Sequence, residues 1–328
     1  MHDIKTGVIG VGSMGQNHAR IYSEISNFIG VYDPDKKQAE VIANRFNTNA
    51  FDNLGELLVR VDAVSIAVPT RYHLEVSKKA MEAGVHILVE KPLAGNIEDA
   101  EKILTLSQKY NLTLSVGHVE RFNPVIKSSK SFIENKDWGD ILTLNAKRFS
   151  NYPKRIHDVG VIYDLTIHDV NIMTSLVNKN VKTVFAAGGM AMNKKHEDFV
   201  CLTLIFEDGT LGICETNWLT PMKVRELNIT TTVCYANINL LNQEIKILKS
   251  EYSNVDSSNL FKTGVDVNQK KIKVQNEEPL MNELDNFLDS IINEKNPLVD
   301  GQAGLLAVKL VQSGLESLQT GKAIDIKI

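Results

Sequence analysis

Lys91 stands in the tripeptide Glu90-Lys91-Pro92, directly after the apolar run Val85-His86-Ile87-Leu88-Val89. A lysine at the carboxyl end of a buried parallel strand lies where open α/β sheets bind ligands and do chemistry. Its ammonium group can lower the pKa of a hydroxyl lying against it and stabilise the alkoxide that develops. Proline after it fixes the backbone, and an X-Pro bond is one of the few that can be cis. Downstream, Asp164 and His168 are four apart, which puts them on one face of a helix. An imidazole titrates near neutrality and suits the removal of a hydroxyl proton while a hydride leaves the carbon. Each feature also has a plain reading: a strand running into a turn, and an ion pair decorating a helix. The choice depends on what surrounds them.

The first third of the chain alternates apolar strands with helical periodicity. Strands are expected at Thr6–Ile9, Ile29–Tyr32, Ala63–Ala67, Val85–Val89 and Leu112–Val116. Helices are expected at Met14–Ile25, Lys36–Phe46, Leu74–Ala83 and Ile97–Tyr110. Strands separated by helices of this length mean βαβ units and a parallel sheet. The fold class is therefore α/β, with a doubly wound Rossmann domain over residues 1–120. Residues 121–328 read as a second, α+β domain for substrate binding and oligomerisation. Helices at Pro124–Glu134 and Tyr163–Leu176 and a strand at Ile141–Phe149 precede consecutive strands from Val181 onward. Asp208-Gly209 between Phe199–Phe206 and Leu211–Trp218 is a hairpin turn signal. Strands without crossovers imply a mostly antiparallel sheet, with one face left to be covered, for which a subunit interface is a common solution. Val224–Asn239 and Glu244–Leu248 continue the strands, Ser250–Asn259 reads as a polar loop, and helices at Pro279–Asn293 and Gly301–Thr320 close the chain.

Gly10-Val11-Gly12-Ser13-Met14-Gly15 fits G-x-G-x-x-G between a strand and a helix. Gly10 allows the tight turn, Gly12 lets backbone approach a pyrophosphate, and Gly15 permits close helix–strand packing. The helix N-terminus beyond offers N–H groups and a positive dipole end to phosphates. Asp33 ends the second strand at the spacing of an acid that binds the adenosine ribose, which favours NAD because a carboxylate repels a 2′-phosphate. Two alternatives stay open: Asp33 as the cap of the next helix ahead of Pro34, and NADP through nearby Lys36 and Lys37.

Composition excludes several classes. A formal charge of −4 argues against a general nucleic-acid binder. No apolar stretch approaches the roughly 20 residues of a membrane span, and the N-terminus lacks signal-peptide organisation. Cys201, Cys214 and Cys234 lack C-x-x-C spacing, and the histidines lack acidic or cysteine partners at metal spacing. A cytoplasmic enzyme without a metal, nucleic-acid or membrane partner is expected.

Four motifs occur in order: Gly10-x-Gly12-x-x-Gly15, Glu90-Lys91-Pro92, Gly117-His118-x-x-Arg121-Phe122-Asn123-Pro124 and Asp164-x-x-x-His168. In combination they resemble the glucose-fructose oxidoreductase / inositol dehydrogenase (Gfo/Idh/MocA) family over essentially the whole chain. The resemblance implies a Rossmann domain, an open-faced antiparallel sheet used to form a homodimer or homotetramer, and a tightly bound nicotinamide cofactor. It also implies that Lys91, Asp164 and His168 are catalytic. Ser13 and Met14 join the glycines at the cofactor, and so do Val68-Pro69-Thr70, His73, Glu90 and His118. The segments 12–20 and 158–165 resemble the branch that oxidises the C3 hydroxyl of UDP-N-acetylglucosamine. One departure is Asp158-Val159-Gly160, where many members carry a glycine-rich stretch; it leaves the substrate pocket open. For a UDP-sugar, Arg121, Arg148 and Arg155 are candidate diphosphate partners, with ion pairing the alternative for each, and His157 could line the pocket. Oxidation of a free polyol such as myo-inositol and NAD-dependent glycoside hydrolysis are the competing activities.

Overall fold

A computed structural model describes residues 2–153, 159–192, 195–252 and 265–326. The chain forms two compact units, residues 1–122 with 278–312, and residues 123–277 with 313–328. The division is thus not one cut near residue 120, because the segment after Glu278 returns to the first unit.

The first unit is built on β1 (His2–Ile9), β2 (Ser26–Tyr32), β3 (Asn49–Ala50), β4 (Ala63–Ile66), β5 (His86–Glu90) and β6 (Leu114–Gly117). All pairs are parallel, in the order β3-β2-β1-β4-β5-β6. That order reverses between β1 and β4, the position at which open α/β sheets form their ligand crevice. The helices are α1 (Gly15–Ile25), α2 (Lys36–Arg45), α3 (Leu54–Leu58), α4 (His73–Glu82) and α5 (Ile97–Tyr110). One face of the sheet is covered by α1 and α2 together with α8 (Pro279–Ile292), around Val8, Ile21, Tyr22, Leu88, Leu284 and Phe287. The other face is covered by α3, α4, α5 and the start of α9 (Gly301–Thr320), around Ile66, Met81, Ile87, Ile103 and Val308. The helices start where the side chains dictate. Asp35 caps α2 by accepting from the Gln38 amide at 3.2 Å, and Asn96 caps α5 from Asp99 at 2.9 Å.

The second unit holds α6 (Pro124–Glu134), β7 (Ile141–Phe149), α7 (Ile167–Val177) and the strands β8 (Val181–Gly189), β9 (Phe199–Phe206) and β10 (Leu211–Asn217). Beyond them lie β11 (Val224–Thr231), β12 (Tyr235–Asn239), β13 (Glu244–Tyr252), β14 (Val265–Ile272) and β15 (Ile324–Asp325). Together the strands make a nine-stranded sheet in the order β14-β13-β12-β11-β7-β10-β9-β8-β15. It is antiparallel except for β7 beside β10. The Asp208-Gly209 turn forms as its sequence requires, with Gly209 at φ +89°. Val224–Asn239 is a hairpin rather than one strand, and β13 runs into the segment read as a polar loop. Alternation sends Val200, Leu202, Leu204 and Phe206 to the helix-covered face. The opposite face exposes Phe185, Phe199, Ile205, Leu211 and Tyr235.

Candidate active site

The glycine-rich loop sits at the switch point of the first unit. Gly10 has φ +84°, and its amide donates to the Tyr32 carbonyl at 2.8 Å. A Cβ on Gly10 would lie 2.8 Å from the Ala67 oxygen and 2.9 Å from Val68 Cγ1. The loop after β1 therefore touches the loop after β4, and only glycine fits between them. A Cβ on Gly15 would stand 1.8 Å from the Gly10 oxygen, whereas a Cβ on Gly12 would meet nothing within 4 Å. The space above Gly12 is open to a ligand. No side chain caps the start of α1, and its first turn carries no acid, which leaves that helix end suited to an anion.

Asp33 answers the question left open for it. The cap of α2 is Asp35, while Asp33 accepts from the Val11 amide at 2.8 Å and the Asp35 amide at 2.9 Å. Its carboxylate is pinned against the glycine-rich loop, as a ribose-binding acid should be. Lys36 is exposed and paired with Asp52 at 2.6 Å. The loop, the uncapped helix end and the fixed carboxylate fit NAD.

Val68-Pro69 leads from β4 into a single 3₁₀ turn at Thr70–Tyr72. His73 is 1% exposed. Its Nδ1 lies 2.9 Å from the Pro92 carbonyl oxygen and its Nε2 lies 3.0 Å from that of Val68. It ties the β4 loop to the Lys91-Pro92 loop from inside, and burial pushes its pKa down. Sequence reasoning put His73 beside the cofactor; the structure places it beneath two loops that line the crevice.

Lys91 follows β5 and is half-buried, and the Lys91–Pro92 bond is cis. Glu90, just before it, accepts from the Lys91 amide at 3.2 Å and from His18 Nε2 at 2.9 Å. Gly117 packs closely against it, since a Cβ there would stand 3.0 Å from the Glu90 Cα and carboxyl group. His118 is buried, with its pKa pushed down to about 3 by desolvation and then by the charges of Arg121 and Lys91. It is a neutral imidazole near neutral pH. Arg121 is also buried, its pKa lowered to about 10 by burial against the opposing pull of Asp300.

In the second unit, Asp164 lies in a π-helical turn, Ile162–Thr166, that runs into α7, where a continuous α-helix was expected. Such turns are frequent at functional sites. The Thr166 hydroxyl lies 2.7 Å from that of Thr216 of β10. From Val161 to Met173, Asp164 and His168 are the two residues not buried. The turn is seated on Glu197, whose carboxylate accepts from the Ile162 amide at 3.1 Å. A Cβ on Gly160 would stand 2.0 Å from that carboxylate. Burial raises the pKa of Glu197, and burial with the nearby Glu197 charge raises that of Tyr163 to about 12. Glu197 was not read from the sequence, since a lone acid before a strand carries no signal.

Arg148 is engaged by the carboxylate of Asp169, with contacts of 2.8 to 3.0 Å, and both are buried. Of the two readings for Arg148, the ion pair is the one formed. Arg155 and His157 lie outside the described residues.

Residues 4–118 match the oxidoreductase family with an NAD-binding Rossmann fold, and residues 126–234 match its C-terminal domain. The chain is 31% identical to UDP-N-acetylglucosamine 3-dehydrogenase of Acidithiobacillus ferrooxidans over 305 residues, 93% of this chain and 94% of that one. The chain belongs to the Gfo/Idh/MocA oxidoreductase family. A solved structure of the Acidithiobacillus enzyme superposes with a TM-score of 0.88 at 29% identity, covering 98% of this chain and 99% of that one. Inositol 2-dehydrogenase of Corynebacterium glutamicum is 31% identical over 65% of this chain and 67% of its own. As in the rest of the family, the first unit is a nicotinamide-binding domain, and the chain is an NAD-dependent dehydrogenase acting on sugar-like alcohols.

Proposed function

We propose that this dehydrogenase oxidises the C3 hydroxyl of UDP-N-acetylglucosamine to the 3-keto sugar in the cytoplasm. The observation that carries the reading is the similarity to the Acidithiobacillus enzyme, which extends through both units rather than the Rossmann domain alone.

NAD, when bound, supplies the hydride acceptor. Gly10, Gly12, Ser13, Met14 and Gly15 bind its pyrophosphate, and Asp33 binds the ribose. Val68, Pro69 and Thr70 line the crevice, His73 fixes that loop from behind, and Glu90 and His118 flank Lys91. The Lys91 ammonium group stabilises negative charge on the reacting oxygen. The His168 imidazole takes the hydroxyl proton, and Asp164 orients that imidazole. The partial exposure of Asp164 and His168 within an otherwise buried stretch supports these roles. Arg148 holds Asp169 beside His168, Arg121 and Arg155 remain the guanidinium partners for a diphosphate, and His157 remains a residue for the substrate pocket. The exposed face of the nine-stranded sheet, with Phe185, Ile205, Leu211 and Tyr235, joins copies of the chain into a dimer or tetramer.

The test supplies UDP-N-acetylglucosamine, myo-inositol and free N-acetylglucosamine to the purified protein with NAD. Reduced cofactor should appear with the nucleotide sugar, together with a product lighter by two hydrogens. Turnover of inositol alone would assign the chain to the polyol branch. Release of sugar without reduced cofactor would assign it to the glycoside hydrolases.

A further inference from the structure

Glu283 is a carboxyl group where an apolar residue is expected. It lies on the inward face of α8 with Leu280, Leu284, Phe287 and Leu288, and it is fully buried. Neither of its oxygens has a hydrogen-bond partner. An ionised carboxylate left unpaired in such a place costs several kcal/mol, so the group keeps its proton instead. On the rim of α8, Asp285 pairs with His2 of β1 and Glu278 with Arg20 of α1. The 119–122 turn, also packed on α8, carries Glu120 and Arg121. The groups bearing on Glu283 from within are Glu90 of β5 and Tyr22 of α1.

Glu90 anchors a buried chain of hydrogen bonds. Tyr22 Oη lies 2.8 Å from Ser65 Oγ, Ser65 Oγ lies 2.9 Å from His18 Nδ1, and His18 Nε2 lies 2.9 Å from Glu90 Oε1. An ionised carboxylate only accepts. His18 therefore donates from Nε2, its Nδ1 accepts from Ser65, and Ser65 accepts from Tyr22. Each donor is used once, and the Lys91 amide fills Glu90 Oε2. This chain joins α1, which starts at the glycine-rich loop, through β4 to the peptide that carries Lys91.

We propose that Glu283 is held protonated in the core beneath α8, and that the His18–Ser65–Tyr22 tether on Glu90 positions the Lys91 backbone. The consequence for turnover rests on the role assigned to Lys91 above; the proton and the tether do not. Desolvation, with the Glu90 charge beside it, pushes the pKa of Glu283 in the same direction.

Infrared difference spectra of the NAD-bound protein at neutral pH, wild type minus Glu283→Gln, should show the carbonyl stretch of a protonated carboxylic acid. A spectrum with only carboxylate bands overturns the buried proton. Hydrogen exchange of the peptide spanning 88–95 should speed up about tenfold in His18→Leu. His18→Gln, which keeps a donor to Glu90, should restore most of the protection. Equal exchange in both variants and wild type overturns the positioning role. Kinetically, His18→Leu should lower kcat about tenfold and leave KM within twofold. A wild type inactive on the nucleotide sugar would refute the substrate, while the spectra and exchange still decide the proton and the tether.

Discussion

Gly12 and Gly15 belong to one motif, yet the structure assigns them different physical tasks, and alanine at each should separate cofactor binding from folding. At Gly15 the new Cβ would meet the Gly10 backbone oxygen at 1.8 Å, far inside the 3.0 Å that real Cβ contacts respect. Neither partner is the end of a flexible side chain, so the start of α1 must move by more than about 1 Å against a filled core. Overpacking of this kind costs about 1–3 kcal/mol and occasionally more. In a domain of this size that is a fall in Tm of roughly 2–12 °C. At Gly12 the Cβ meets nothing within 4 Å, so Gly12→Ala should leave the Tm of the cofactor-free protein within about 1–2 °C of wild type. The same methyl group occupies space assigned to the pyrophosphate and should weaken NAD binding at least tenfold. Bound NAD at a hundredfold excess over Kd stabilises by about 2.7 kcal/mol, and a tenfold loss of affinity removes about 1.3 kcal/mol of that. Thermal melts with and without NAD, with calorimetric titration, read both effects. If Gly12→Ala unfolded as early as Gly15→Ala, or bound NAD like wild type, the placement of the cofactor over Gly12 would be wrong.

Lys91→Ala and His168→Ala should each lower kcat by at least about a hundredfold while calorimetric NAD affinity stays within a few-fold, since neither holds the phosphates. Near-normal turnover in either would remove its assigned role. Arg148→Leu should cost about 3–5 kcal/mol, because it leaves the Asp169 carboxylate buried without its guanidinium; urea unfolding would measure it. His118 makes stability fall on acidification. The unfolded imidazole takes a proton near pH 6.5 and the folded one only near 3, so its stabilising effect is complete above 6.5 and lost as pH falls to 3, at most about 5 kcal/mol. His118→Gln should flatten the acid limb of a Tm-against-pH curve over that window, and an unchanged limb would count against a buried neutral imidazole.

How much of this was legible beforehand depended on whether a signal was local. α5, α6, β7, β9 and α9 lie within the bounds that periodicity and caps assign, because Asn96, Asn123-Pro124 and the alternation of Phe199–Phe206 act within a few residues of themselves. The glycine-rich loop was legible for the same reason, since its turn, its helix end and Asp33 are bound to one short stretch of chain. What escaped was long-range. Nothing near residue 283 announces that α8 packs against β1 and α1, so the burial of a glutamate on its apolar face could not be foreseen. Glu197 escaped likewise, because its task is to seat a turn that begins at Ile162. The π-helical turn was hidden by its own sequence, which has the apolar spacing of an α-helix. Thr166 within it bonds to Thr216, on a strand some fifty positions away. Motif residues could be found by type and spacing; the residues that hold them in place are defined by contacts, and contacts between distant segments exist only once the chain has folded.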